Sequence, residues 1–181
     1  MAGYWADSLA NELSQGDLLS DAWIGTSLSP GIALKKGATG KQGAQNWDES
    51  VWSANADGFG HFVARGRSVH ALVLSHSCEI DKQEGAVPIL VAPIYPLSII
   101  QDPDVRERTR KGDRFAFMPV DAIPSVIAES YADFRLTCYL QRSVVFSRRR
   151  SASASENGAK LLTAKLVAFL TRVDINSIVG T

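Results

Sequence analysis

The chain has 181 residues, 45% apolar and 21% charged, and its 19 basic and 19 acidic side chains cancel at neutral pH. That size and composition fit one globular domain with a core of its own and exclude a low-complexity or disordered chain. Zero net charge excludes a global field drawing the protein onto nucleic acid or anionic lipid, so any such affinity rests on local clusters.

Two cysteines, Cys78 and Cys138, are too few for a disulfide scaffold. No run approaches the roughly 18 apolar residues of a membrane span, and the N-terminus lacks the basic-then-apolar pattern of a signal peptide. The expectation is a cytoplasmic protein with free thiols and no membrane partner. In chain order, Trp5, Leu9 and Leu13 recur at every fourth position and predict a short N-terminal helix ending near Gly16. Residues 17–24 read as a strand with Leu19 and Trp23 inward, closed by Gly25.

Residues 25–67 hold 8 of the 14 glycines, which predicts a long loop or lid. Trp47, Val51, Trp52 and Phe59 argue for partial order, because aromatic groups gain only by burial. The run KKGATGKQ at 35–42 imitates a phosphate loop but lacks the first glycine. It also carries Gln42 where a hydroxyl would hold magnesium, and the motif is set aside.

The densest set of reactive groups follows. Two apolar strand-like runs, Val69 to Leu74 and Pro88 to Ile94, flank His76, Cys78, Glu79 and Asp81. On an extended strand His76 and Cys78 share one side, with Glu79 and Asp81 on the other. This pattern suits a Cys78 nucleophile activated by a histidine, against the plainer reading of an inert thiol. Glu79 and Asp81 read more simply as turn carboxylates than as an acid–base pair. Zinc would need further ligands such as His61, His70 or Cys138, and the close paired spacings of a zinc site are missing. No metal or cofactor is therefore expected.

Beyond the second run, a helix is predicted around Asp104 to Lys111. With Arg106, Arg108, Arg110, Lys111 and Arg114 it forms the most basic stretch of this part of the chain. The stretch is either a solvated face balanced by Asp104, Glu107 and Asp113 or a patch that contacts phosphates. Phe115 to Val120 reads as a strand. So does Ala132 to Leu140, where Phe134, Leu136, Cys138 and Leu140 alternate onto one face and make Cys138 a core residue. Val144 to Phe146 suggests another short strand, and Arg148 to Arg150 is an unbalanced basic triplet. A final helix over 151–175, capped by Ser153 or Ser155, places Leu162, Leu166, Phe169, Leu170 and Val173 on an apolar stripe. Strands in succession with helices at the two ends give an α+β class, either a sheet or a small barrel, with one domain over 1–181.

Three segments resemble the PemK/MazF family of toxin endoribonucleases: Gln15-Gly16-Asp17-Leu18-Leu19, Ala71-Leu72-Val73-Leu74-Ser75 and Val91-Ala92-Pro93-Ile94. The resemblance covers roughly residues 15–98. It implies a small SH3-like antiparallel β-barrel with a C-terminal helix, usually a homodimer, that cleaves single-stranded RNA without metal and is inhibited by an antitoxin. It places Arg65 or Arg67 as the basic residue on the scissile phosphate. The family's hydroxyl is offered by Ser98, Tyr95 standing directly after Ile94. Metal-free cleavage needs a base, a cation and an acid, so Arg67, His70 and His76 join Cys78, Glu79 and Ser98 as candidate catalytic groups. Arg65 joins the α-helical arginines as a candidate RNA contact. The competing class is a non-catalytic module binding nucleic acid or protein on the same barrel.

Overall fold

The computed structural model describes residues 3–27, 32–34, 44–46, 65–81 and 87–172. Side chains are described for 3–22, 24, 68–81 and 87–172. The main sheet has seven strands: β1 (Leu18–Ser27), β4 (Arg65–Val73), β5 (Ile89–Pro96), β6 (Phe117–Val120), β7 (Ser130–Asp133), β8 (Cys138–Leu140) and β9 (Arg150–Ala152). Its order is β6-β7-β5-β4-β1-β9, with β8 also paired to β5. The recorded pairings are antiparallel, and among the described residues the path runs open from β6 to β9 without closing into a barrel. The class is α+β, with four helices among the described residues: α1 (Ser77–Ile80), α2 (Pro103–Arg110), α3 (Arg142–Phe146) and α4 (Glu156–Thr171). None of the described helices is long and apolar enough to cross a membrane.

By compactness the chain divides into a large unit, 1–22 with 69–181, and a small one, 23–68. The small unit occupies most of the predicted loop. Its described part includes a two-stranded antiparallel ladder of β2 (Ile32–Leu34) and β3 (Ala44–Asn46). Trp47, Val51, Trp52, Phe59, His61 and the 35–42 run lie outside the described residues.

In the large unit, inward residues of the strands form one core: Leu18, Leu72, Ile94, Met118 and Phe134 are buried together with Leu162 of α4. Leu166 and Phe169 pack onto the same cluster, so the predicted C-terminal helix lies on the sheet. Ser155 caps it by accepting from the Gly158 N–H, while Leu170 is 75% exposed and Val173 lies outside the described residues. Lys165 fills the helical position that the stripe would give to an apolar residue. It is buried, and its Nζ donates to the carbonyls of Gly112 and Arg114 just after α2. Desolvation pushes its ammonium below the usual lysine range, partly offset by the charge of Asp113.

The N-terminal helix is not formed. The backbone there bonds outward: the Tyr4 N–H donates to Asp121 Oδ2, the Ala6 N–H to Ser153 O and the Ala10 N–H to Ser153 Oγ. Trp5 bridges Ala154, and tertiary pairing overrides a pattern of only three apolar residues. Close approach to α4 depends on Gly158, where an added Cβ would sit 2.2 Å from the Tyr4 carbonyl oxygen.

The alternating stretch Ala132 to Leu140 is also broken. β7 pairs Ala132 with Ile94 and β8 pairs Cys138 with Val91, three steps along β5 against six along its partner. The three extra residues leave the ladder as a 3-10 turn, Phe134–Leu136, whose start is capped by Asp133. The break falls opposite Ala92 and Pro93, and Pro93 has no N–H to give a ladder. Consequently Phe134 is buried, Leu136 is exposed and Cys138 is half-buried. Val144 to Phe146 is helical in α3, which turns Val145 inward and leaves Phe146 exposed.

Candidate functional site

β4 ends at Val73, whose N–H and C=O pair with Asp17 O and the Gly16 N–H. The chain then leaves the sheet and turns at once into α1. The expected extended geometry of His76 to Asp81 is therefore wrong, because Ser77–Ile80 is a single helical turn with buried Ile80 as its anchor. His76 is its N-cap, an unusual residue in a place where Ser, Asp or Asn is preferred.

This cap determines the chemistry of the pair. The backbone N–H of Cys78 donates to His76 Nδ1 at 3.3 Å, so Nδ1 is an acceptor and the neutral ring carries its proton on Nε2. The same Nδ1 lies 3.0 Å from Cys78 Sγ. A thiol and the unprotonated nitrogen of an imidazole thus face each other, and both residues are exposed to solvent. His76 and Ser77 also form part of the wall of a cleft of about 710 Å³, with Gln15, Asp17, Lys160 and Thr163. Gln15 supports this wall, since its N–H donates to Ser77 Oγ and its side-chain amide donates to the Leu74 carbonyl.

Asp17, at the base of the cleft, is buried. It accepts from the Ser14 N–H at 2.9 Å and from Arg150 Nη1 at 3.3 Å. Burial pushes its carboxyl above the usual range, against the opposing pull of hydrogen bonds from Ser14, Ser153 and Arg150 and of the Arg150 charge. Tyr4, also buried, has its phenol pushed up by desolvation and by the Asp17 charge.

Among the described side chains, His70 and Ser98 do not converge on the thiol. His70, half-buried on β4, bonds through Nδ1 to Ser20 Oγ at 3.2 Å, and Ser20 Oγ meets Ser151 Oγ at 2.6 Å. These three tie β4, β1 and β9 together where an extra residue, Ser151, bulges out of β9. Ser98 lies in a 3-10 turn beyond Pro96, at the opposite end of β5 from α1. The intervening strand of eight residues spans about 25 Å at roughly 3.3 Å per residue. Glu79 is exposed beside Cys78, and Asp81 is the C-cap of α1. Arg65 and Arg67 are in β4, with side chains outside those described.

Most cations of the helical basic stretch already have partners. Arg110 pairs with Glu107 and Glu129, and Lys111 pairs with Glu107. Arg106 donates to the Ile100 carbonyl through two nitrogens, and Arg114 lies over the Phe117 ring. Arg108 is the exposed cation left. The balanced-face reading of α2 accounts for these contacts.

Among the described residues no group of three or more His, Cys, Asp or Glu side chains gathers to hold a metal. Cys138, on β8, has its thiol pushed up by burial and is no rival to Cys78. What the sequence did not single out is the part played by Gln15 and Asp17, which lie in a segment that reads as the start of a strand. Their signal, a buried Asp next to a positive-φ glycine at Gly16, emerges only with the fold. The chain matches no protein-family model, and comparison with curated proteins and with solved structures finds no match.

Proposed function

We propose that the protein is a thiol-dependent enzyme of acyl transfer or hydrolysis, with Cys78 as nucleophile and His76 as base. The observation that carries this reading is the 3.0 Å approach of Cys78 Sγ to the acceptor nitrogen of His76. The sulfur attacks an acyl carbon and an S–C bond forms. The thiol proton passes to Nδ1 and on to the leaving group as its bond to the acyl carbon breaks. Water that gives a proton to Nδ1 then cleaves the thioester, and the proton returns to sulfur. The cleft bordered by His76 and Ser77 offers room for the acyl part.

His76→Asn separates this role from that of a cap, because Asn caps helices well but is no base. Iodoacetamide at neutral pH is expected to alkylate Cys78 ahead of Cys138. The rate at Cys78 should fall about tenfold in His76→Asn with the melting temperature unchanged. A rate equal to that of an unstructured cysteine peptide, indifferent to His76, would refute the base.

A second reading follows from the coarse architecture. A mostly antiparallel sheet under a C-terminal helix is the coarse part of what resemblance to the PemK/MazF toxins implies. On that reading the sheet is a variant of their SH3-like barrel, the active form is a homodimer, the substrate is single-stranded RNA and an antitoxin is the partner. Its mark would be RNA cleavage in EDTA that survives Cys78→Ala. Loss of cleavage in that variant, or none in the folded wild type, would oppose it.

A further inference from the structure

The cleft beside the thiol pair is walled by parts of residues 10–17, by His76 and Ser77, by Ser153 and Ala154, and by one side of α4. What it can hold depends on which of these groups remain open to a ligand.

The polar groups are engaged within the protein. Ser153 Oγ accepts the Ala10 N–H, Ser77 Oγ accepts the Gln15 N–H, the Gln15 amide donates to the Leu74 carbonyl and Thr163 Oγ1 donates to the Ala159 carbonyl. Asp17 is enclosed and held by Ser14 and Arg150, and Arg150 fixes the same wall by donating to the Ala10 carbonyl. Glu156 and Lys160 pair with each other at 2.7 Å on the rim, where their side chains are 83% and 70% exposed. Among the described residues the wall therefore offers no lysine or arginine without its own carboxylate.

The apolar groups are the accessible ones. Ala10 is exposed, Val167 is 39% exposed, and Ala159 and Ala164 are half-buried, so all four can be touched from the cleft. From Ala159 to Val167 the helix rises about 12 Å, at 1.5 Å per residue. Small side chains along that length let an extended chain lie close to the helix, and each methylene that leaves water there gains free energy. A peptide would instead bring backbone N–H and C=O groups that this wall leaves without partners.

We infer that the cleft takes an uncharged aliphatic acyl chain of medium length, the group that Cys78 would carry. The inference rests on the thiol reading, because His76 both faces Cys78 Sγ and borders the cleft.

The experiment compares acylation of Cys78 by the p-nitrophenyl esters of acetate, butyrate and hexanoate, each normalised to its rate with glutathione. With each methylene half-buried, a gain of roughly 15-fold from acetyl to hexanoyl is expected. The mono-p-nitrophenyl ester of adipate, which ends the same chain in a carboxylate, and the p-nitrophenyl ester of N-acetylglycine should lack the gain. Ala164→Phe fills the cleft and should bring the hexanoyl-to-acetyl ratio close to one. Val167→Lys, at an exposed helical position, should cut that ratio about threefold and keeps the test if Ala164→Phe does not fold. A flat series, a ratio unchanged in both variants or an equal gain for the adipate ester would overturn the acyl class, while Cys78 acetylation would still uphold the thiol. Faster transfer of acetylglycine would overturn it in favour of a peptide. Should no ester acylate Cys78, the thiol reading falls, and titration of the Cys78→Ala protein with octanamide decides the cleft separately. Saturable NMR shifts along α4 would sustain the aliphatic site, and none would overturn it.

Discussion

Arg150→Met is expected to destabilise the protein by about 3 kcal/mol at pH 7, because it leaves Asp17 buried without its cation. The Asp17 side chain is 1% exposed and that of Arg150 20%, so the estimate is taken at the lower end of the range for buried pairs. In a chain of this size such a loss lowers the melting temperature by roughly 6–12 °C. The accompanying pH dependence is specific. Burial raises the folded-state pKa of Asp17 above its usual value of 3.8. Between 3.8 and that raised value the folded state binds more protons than the unfolded state. Stability from this group therefore grows as pH falls through the window and is lost as pH rises through it. Without Arg150 the folded pKa rises further and the window widens upward. The deficit of Arg150→Met should accordingly shrink as pH falls through the window and Asp17 gains its proton in both proteins. Adding Asp17→Asn to Arg150→Met should recover most of the loss at pH 7. Urea melts of the three proteins at pH 4 and pH 7 check both statements. A pH-independent deficit, or none, would show that the pair is not what holds β1, β9 and the segment at Ala10 together.

The same ion pair illustrates what was readable in advance. The triplet Arg148 to Arg150 stands out as unbalanced, but the carboxylate that pairs with Arg150 lies 133 positions away at Asp17, whose sequence neighbours give no hint of burial. The two apolar runs flanking Cys78 and the final helix were legible because each repeats its periodicity over several residues or is bounded by Gly, Pro or a cap. Short patterns failed for identifiable reasons. Trp5, Leu9 and Leu13 match a helix, yet the backbone between them is held by Asp121 and Ser153 from the far part of the chain. The alternation of Phe134 to Leu140 is real in the sequence and void in the structure, since Pro93 cannot serve a continuous partner strand. His76 and Cys78 were paired for the wrong geometry. Their contact comes not from the two-residue repeat of a strand but from a ring nitrogen folding back onto the first turn of a helix. Gln15 and Asp17 entered the site through the pairing of Gly16 and Asp17 with Val73, a long-range contact that local pattern does not encode.

The largest effect the account predicts is on covalent chemistry, and it follows from how few groups stand near the thiol. Among the described residues Cys78 Sγ has one acceptor, His76 Nδ1, which the Cys78 N–H holds in the tautomer able to take a proton. Removing the sulfur removes the bond-forming atom. The other thiol, Cys138, sits half-buried on β8 and does not replace it. Turnover should therefore vanish rather than decline in Cys78→Ala, whereas His76→Asn should leave the nucleophile but slow both formation and hydrolysis of the thioester, by about a hundredfold or more for a general base.

The measurement that tests this most directly is intact-protein and peptide mass spectrometry during reaction with p-nitrophenyl acetate. The account predicts one acetyl group on Cys78 that appears as nitrophenol is released and is then lost as acetate, persists longer in His76→Asn and is absent in Cys78→Ala. Nitrophenol release unchanged in Cys78→Ala, or acetylation confined to other residues, would contradict it.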